Sequence, residues 1–177
     1  MPIHSFDPVS NPGCRVLILG TMPGKASLRE GRYYAHPRNL FWKITGAILG
    51  FDPRAPYENR LAGLLSAGVA LWDVLKSCER RTSLDSDIDA STEVPNDLAA
   101  FLEAHPAIGR VCFNGARAEA LFSRHVRPRL RAAAGAEFIR LPSTSPANAS
   151  IPFEKKMAAW RTIHPGRPRH KKSERWY

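Results

Sequence analysis

The sequence predicts an α/β fold: a three-layer α/β/α sandwich around a short, mainly parallel, four-stranded central sheet. Two observations support this fold class. Four apolar runs have the length of sheet strands but lack a clean polar–apolar alternation, as expected when both faces of a parallel sheet are covered. Helical patterns lie between these runs, and strands that alternate with helices are typical of layered α/β domains.

The predicted strands are RVLILGT (15–21), GVALWDV (68–74), RVCFNG (110–115) and AEFIRLP (136–142). Helices are predicted at 39–50, 58–68, 95–105, 115–126 and 152–164. We expect Asn96 or Thr92 to cap the third helix. Pro152 suits the first turn of the fifth, where an amide proton would have no helical partner.

The chain is expected to form one domain over residues 1–163, followed by a basic tail at 164–177. Its 177 residues are enough for a single sizeable core, and it contains no internal repeat. The tail carries five Lys or Arg residues, one acidic residue, Trp176 and Tyr177. Such a tail is either an arm that contacts phosphates or only a solubilising end.

Charge indicates the class of partner. The chain has 26 Lys and Arg against 16 Asp and Glu, a net charge of +10 and a pI near 10.1. This excess favours polyanions such as nucleic acid, with an acidic membrane surface as the alternative. No apolar run approaches the roughly 18 residues that span a bilayer, and the first residues lack the features of a signal peptide.

The three cysteines are widely spaced and match no metal-ligand pattern. Cys14 and Cys112 adjoin or lie within apolar runs, where cysteine usually behaves as a small buried hydrophobic residue. We therefore expect a protein of the reducing cytoplasm, with no metal and no cofactor.

A binding site is predicted where the strands end. The unusual segments GTMPGKAS, LWDVLKSCERRTSLDSD, FNGA and LPSTSPANAS each follow the carboxyl end of one predicted strand. In open α/β sheets, ligands bind just beyond those ends. The chemically unusual residues are therefore expected to converge at one edge of the sheet.

Each segment has two interpretations. GTMPGKAS is one residue too short for a phosphate-binding loop, so it is either a tight strand-exit turn or a backbone ledge against a flat ligand. LPSTSPANAS is either an ordinary turn or a loop that binds DNA phosphates and presses on the duplex.

Single residues near the strand ends also have two interpretations. Asp73 is either a cap or a carboxylate of the binding pocket, and Asn114 is either a turn residue or an amide of that pocket. Arg80 and Arg81 are expected to face solvent or phosphate.

YYAHPRNLFW (33–42) places aromatic and hydrogen-bonding residues together just after the first strand exit. A loop at that position suits the stacking of a planar base better than it suits core packing. Phe41 and Trp42 already belong to the helical pattern and are expected in the core.

The motifs GTMPG, YYAHPRNLFWK and LPSTSPANA, in that order, resemble the uracil-DNA glycosylase superfamily over roughly residues 14–163. YAHPRNLFWK is similar to the matching stretch of the mismatch-specific uracil glycosylases. With STSPAN, the likeness is closest to the DNA-deoxyinosine (hypoxanthine-DNA) glycosylase branch. The resemblance implies an α/β/α fold, damaged DNA as partner, a chain that acts as a monomer, and cleavage of the N-glycosidic bond of an everted base.

The resemblance also implies residue roles. Asn39 matches a catalytic asparagine, and Asp73 is the second catalytic candidate. Tyr34 matches the aromatic residue that stacks on the base. The other residues expected at the base are Gly20, Thr21, Met22, Pro23, Gly24, His36 and Asn114. Those expected at DNA are Lys25, Arg38, Ser143, Thr144, Ser145, Pro146, Ala147 and Asn148.

The sequence departs from the family pattern at two positions. Met22 stands where many relatives have Asp or Asn to position the attacking water, and a thioether cannot do this. Ser145 stands near the place of a histidine in the classical uracil enzymes. We expect a monofunctional enzyme, with Lys25 the candidate that would overturn this. The alternatives are a non-catalytic nucleic-acid-binding α/β module and a nucleotide-handling enzyme that uses GTMPGK.

Overall fold

The computed structural model describes residues 1–130 and 135–166. Its strands are β1 (Ile3–His4), β2 (Val16–Gly20), β3 (Val69–Asp73), β4 (Leu75–Cys78), β5 (Val94–Pro95), β6 (Arg110–Asn114) and β7 (Glu137–Leu141). Its α-helices are α1 (Lys25–Glu30), α2 (Phe41–Leu49), α3 (Tyr57–Ser66), α4 (Leu98–Ala104), α5 (Ala116–His125) and α6 (Phe153–Trp160).

The central sheet has four strands in the order β3–β2–β6–β7, and all neighbouring pairs are parallel. The register aligns the strand ends: Gly20 lies opposite Asp73, and Asn114 lies opposite Leu141. This places the carboxyl ends of all four strands at one edge, which is where the loops predicted to bind a ligand emerge.

Helices cover both faces of this sheet. On one face, Leu17 and Leu19 of β2 pack in a core cluster with residues of α4 and α5. On the other face, Val16 and Ile18 pack with residues of α2, α3 and α6. Because successive strand residues point to opposite faces, burial on both sides requires the continuous apolar runs seen in the sequence. The predicted three-layer fold class is confirmed.

The predicted elements agree with the structure except at their ends. The cap of α4 is Asp97, whose side chain accepts from the Ala100 N–H at 3.1 Å, so the prediction of Asn96 or Thr92 is wrong. Asn96 is buried and donates to the Asp73 and Leu75 carbonyls. Pro152 lies one residue before α6.

Two features were missed by the sequence analysis. The short helix α1 follows the GTMPG turn, and β1, β4 and β5 form a second, antiparallel sheet. A six-residue helix and two-residue strands are too short to reveal a period. In the described ranges no helix is long and apolar enough to cross a membrane. From residue 167 onward the predicted basic tail lies outside the described residues.

Candidate functional site

A cavity of about 340 Å³ lies at the carboxyl edge of the central sheet. Each of the four segments predicted to converge there contributes to its wall. The residues that line it are 20–27, Tyr33, Tyr34, His36, Asn39, Asp73, 83–85, 114–117 and 143–148. Every predicted site residue except Arg38 is among them; Arg38 is exposed and lies outside this wall.

The GTMPG turn forms a tight floor. The carbonyls of Gly20 and Thr21 accept from the backbone amides of Val74 and Leu75 at 2.9 and 3.1 Å, which fixes the exit of β2 against β3. A Cβ atom at Gly20 would collide with the Asp73 carboxylate and lie 3.0 Å from the Tyr34 hydroxyl. Glycine is therefore required at position 20 by the close approach of two pocket side chains.

Tyr34 is held rigidly in the wall. Its ring stacks on Phe41 with centroids 3.9 Å apart and planes 14° apart, and its hydroxyl accepts from the Asn114 amide at 3.1 Å. Burial and the nearby Asp73 carboxylate raise its pKa. Tyr34 has a φ of +53°, an uncommon conformation for a residue with a side chain, of a kind that clusters at functional sites.

Phe41 and Trp42 are buried, so their prediction as core residues is confirmed. Trp42 donates its indole N–H to the Tyr33 carbonyl at 3.1 Å. The helix after the decapeptide motif thus anchors the loop that precedes it.

Asn39 lies two residues before α2, just ahead of its N-cap Leu40. Its side-chain Oδ1 accepts from the Phe41 N–H at 2.9 Å, and its backbone N–H donates to the His36 carbonyl at 2.9 Å. A carbonyl oxygen has two lone pairs, so Oδ1 keeps one acceptor site after it binds the first N–H group of α2. Asn39 is therefore fixed in orientation beside Tyr34, and both side chains line the same cavity.

Asp73 is a buried carboxyl in the cavity wall, 3% exposed. Its Oδ2 has no hydrogen-bond partner among the described residues. Burial raises the pKa of Asp73 to about 8; Asp85 adds to this rise and Arg80 opposes it. At neutral pH this carboxyl is therefore mostly protonated, and it can donate a hydrogen bond as well as accept one.

Arg80 binds the GTMPG turn, which forms the floor of the cavity. Its side chain is 1% exposed, donates to the Pro23 carbonyl at 2.6 Å and lies 3.5 Å from the Asp85 carboxylate. The prediction that Arg80 faces solvent or phosphate is therefore wrong. Arg80 lies in the charged run Glu79-Arg80-Arg81, which is typical of a solvent-exposed segment, so no local pattern predicts the burial of its side chain.

Asn114 links three parts of the wall. Its amide donates to Tyr34 Oη at 3.1 Å and to Thr144 Oγ1 at 2.9 Å, and its carbonyl accepts from the Thr144 N–H at 2.9 Å. Both amide protons are used in these bonds. Asn114 is therefore a pocket amide that positions Tyr34 and the 143–148 loop.

The 143–148 loop is built from its own polar groups. Ser143 Oγ accepts from the Ser145 N–H, and Ser145 Oγ accepts from the Ala147 N–H, each at 3.2 Å. The Leu40 N–H donates to the Thr144 carbonyl at 3.0 Å, which joins the loop to the start of α2. Sequence reasoning identified this loop but not Lys156, which binds it from α6.

At the mouth of the cavity, Arg117 is held by Glu93. The Glu93 side chain is fully buried and lies 2.7 Å from Arg117, 3.1 Å from Arg124 and 2.8 Å from His125 Nε2. One carboxylate thus gathers three basic side chains of α5, and sequence reasoning missed this cluster.

A second cavity, of about 400 Å³, shares Tyr33, Tyr34, His36 and Asn39 with the first. Its lining includes one carboxylate, Glu30, and four cations: Arg32, Lys43, Arg54 and Arg60. The Arg60 guanidinium lies 4.7 Å from the centroid of the Trp42 ring, an arrangement that attracts a cation to the ring. Within the described ranges, no group of three or more His, Cys, Asp or Glu side chains is placed to hold a metal ion.

Comparisons with known proteins identify the family of this chain. Residues 8–164 match the family described as the uracil DNA glycosylase superfamily. A protein named hypoxanthine DNA glycosylase from Methanosarcina barkeri is 37% identical over 149 residues, which are 84% of this chain and 89% of that protein. Its namesake from Methanosarcina acetivorans is 36% identical over 146 residues, 82% of this chain and 87% of that protein.

The fold also matches a solved structure. A solution NMR structure from Methanosarcina acetivorans, described provisionally as a uracil DNA glycosylase, superposes with a TM-score of 0.76 at 33% identity. The match covers 92% of this chain and 99% of that one.

Proposed function

The chain belongs to the uracil DNA glycosylase superfamily, and from that premise we propose that it is a monofunctional DNA repair glycosylase that excises hypoxanthine, and secondarily uracil, from DNA. The observation that carries the proposal is the convergence of Tyr34, Asn39 and Asp73 on one cavity at the carboxyl edge of the sheet. The order of preference rests on relatives named for hypoxanthine.

The proposed reaction breaks the bond between the sugar C1′ and the base nitrogen. The base is first rotated out of the duplex, at a cost of a few kcal/mol that is lowest for a mismatched base. Tyr34 offers a ring for stacking, which contributes about 1–3 kcal/mol per base. The oxygen of a water molecule then bonds to C1′, and its proton goes to the departing base. The products are an abasic site and the free base.

We propose that Asn39 binds the attacking water and that Asp73 forms hydrogen bonds with the edge of the base. The free acceptor site on Asn39 Oδ1 takes a hydrogen bond from the water and favours the positive charge that develops on the sugar. Because its pKa of about 8 leaves most of the Asp73 carboxyl protonated at pH 7, we assign it as a hydrogen-bonding acid rather than as the general base. As a neutral acid it pairs with the C=O and N–H groups that hypoxanthine and uracil share.

The remaining roles are as follows. The 20–24 turn forms the floor under the base, His36 and Asn114 complete the wall, and Lys25, Arg38 and the 143–148 loop contact DNA. We propose a monomer on DNA, a single domain over residues 1–163 with a phosphate-binding tail, and a cytoplasmic location. The three free cysteines are buried, which suits a reducing compartment.

The test is a panel of oligonucleotides that carry hypoxanthine, uracil, xanthine or a thymine mismatch, treated with the protein and then with alkali. We expect strand breaks at hypoxanthine, fewer at uracil, and full activity in EDTA. Binding without base release from every member would favour the non-catalytic module. Trapping of a covalent adduct by borohydride would overturn the monofunctional assignment and point to Lys25.

A further inference from the structure

Helix α6 carries a buried lysine. Lys156 is 1% exposed and is one of the few charged residues of the described ranges that are buried to this degree. Burial lowers its pKa. Removing an ammonium group from water costs several kcal/mol unless hydrogen bonds compensate it, so its retention at this position indicates a specific use.

The hydrogen bonds that compensate the buried ammonium group of Lys156 both come from the 143–148 loop. Nζ donates to the Ser143 carbonyl at 2.7 Å and to the Asn148 carbonyl at 2.6 Å. Both distances are those of charge-assisted bonds. The ion pairs found among the described residues do not include Lys156, so two carbonyl dipoles rather than a carboxylate satisfy it.

These two carbonyls belong to the first and last residues of the 143–148 loop. The start of the loop has other supports, because Asn114 and Leu40 both bind Thr144. The end of the loop is tied back through Lys156 and through the Asn148 amide, which donates to the Ser143 carbonyl at 3.2 Å. Both ends of the loop are thus drawn inward, and of the residues between them Thr144 is fully buried while Ala147 is exposed at the tip.

We propose that Lys156 is a positioning residue that stiffens the 143–148 loop, so that its tip can press into duplex DNA and occupy the place of the extruded base. This inference rests on the proposed function. A rigid loop tip matters most where a base must be separated from a stacked, paired helix. Single-stranded DNA presents the same base without that barrier.

The experiment compares one lesion in duplex and in single-stranded DNA. In Lys156→Met the apolar stem still packs but the donors and the charge are lost. We expect excision from duplex to fall about tenfold or more, as the loss of hydrogen bonds to a charged group predicts. Excision from single-stranded DNA should fall much less, because Asn114 and Leu40 still hold the start of the loop against the base cavity. Lys156→Arg keeps charge and donors and should recover part of the duplex activity. Lys155→Met, an exposed neighbour on the same helix, is the matched control.

Equal loss on both substrates would reduce Lys156 to a structural lysine and overturn the proposal, as would unchanged excision from duplex. If the Met variant does not fold, Lys156→Gln is measured in its place against the same criteria. Affinity for a duplex that contains a stable abasic analogue gives a second readout, and we expect Lys156→Met to weaken it. Should wild-type protein excise no base, the proposed function fails, while this affinity comparison still decides the role of Lys156.

Discussion

Asn39 is assigned a structural and a chemical role in one side chain. Its Oδ1 accepts from the Phe41 N–H in the first turn of α2, so its removal should have two separable effects. We expect Asn39→Ala to lower the free energy of unfolding by about 1 kcal/mol, the net contribution of one hydrogen bond. In single-turnover assays it should reduce excision by about 10² or more, as the loss of a positioned electrostatic group does, while DNA binding stays near normal.

Asn39→Asp separates the two effects, because its carboxylate still accepts from the Phe41 N–H. Its stability should match that of the wild type in urea unfolding. Near-normal turnover in the Ala variant would remove Asn39 from the chemistry and leave it with a structural role at the start of α2.

Asp73 predicts the pH dependence of both stability and activity. The pKa of this buried carboxyl is about 8 in the folded chain against about 3.9 when unfolded. Between these values the folded chain binds more protons than the unfolded chain, so stability falls as pH rises and levels off above pH 8. We expect urea unfolding from pH 5 to 9 to show this fall in the wild type and a flatter curve in Asp73→Asn.

If Asp73 contacts the base as a neutral acid, kcat/KM for excision should decline above pH 8 in the wild type but not in Asp73→Asn, whose amide cannot ionise. A rate that instead rises through pH 8 and is abolished in Asp73→Asn would show that Asp73 is the general base, and the assignment of the water to Asn39 would be withdrawn.

At the residue scale, it was easier to predict which residues line the cavity than to predict the hydrogen bonds that they form. Asp73 was placed at the cavity by its position at a strand end and Tyr34 by its loop after the first strand exit, whereas Asn39 was placed there by the family resemblance. Arg80 and Lys156 were not, because a cation that bonds to carbonyls distant in sequence leaves no local pattern. The Asn114 side-chain amide likewise donates two hydrogen bonds, and one of them goes to the hydroxyl of Tyr34, which is 80 residues away in the sequence.

At the scale of elements, the strands of the central sheet were the most predictable part of the fold, since burial on both faces requires five-residue strands that are largely apolar. Helix α1 and the small antiparallel sheet were not predictable. Their stability comes from tertiary contacts: the Lys25 N–H donates to Ser83, and β4 pairs on both sides with two-residue strands.

Helix α5 is tied to the segment before β5 by Glu93, and this tie can be tested. In Glu93→Gln the side chain keeps its shape but leaves Arg117 and Arg124 without a counter-ion. These two cations are partly exposed and regain water, so we expect a loss of about 1–3 kcal/mol in the free energy of unfolding, less than for a fully buried pair.

The control for Glu93 lies on the same helix. Glu119 forms a partly exposed pair with Arg140 at 3.3 Å, and pairs of this type contribute about 0–1 kcal/mol. Glu119→Gln should therefore change stability less than Glu93→Gln when both are measured by denaturant unfolding. Equal effects would show that burial of the carboxylate is unimportant for this cluster.

For the whole molecule, the net charge of +10 favoured a polyanion as partner but did not indicate where DNA crosses the surface. The second cavity suggests a path for the DNA backbone, because its four cations adjoin the wall of the base site. If Arg60 contacts a phosphate, Arg60→Gln should reduce the slope of log K against log salt by about 0.9, measured by titration of duplex DNA at several salt concentrations.

Arg15→Gln is the control for Arg60. It removes the same charge from the opposite edge of the central sheet, just before β2 begins, and should leave the salt slope unchanged. Equal slopes for Arg60→Gln and the wild type would place the DNA backbone elsewhere.

The stack of Tyr34 on Phe41 bears on the order of events at the proposed base site. Phe41 is fully buried, so the hydrophobic core supports the Tyr34 ring from behind. If Tyr34 receives the base as proposed, its ring has little conformational freedom left to lose on contact. The base site would then be formed before DNA binds, and the nucleotide would make the conformational change.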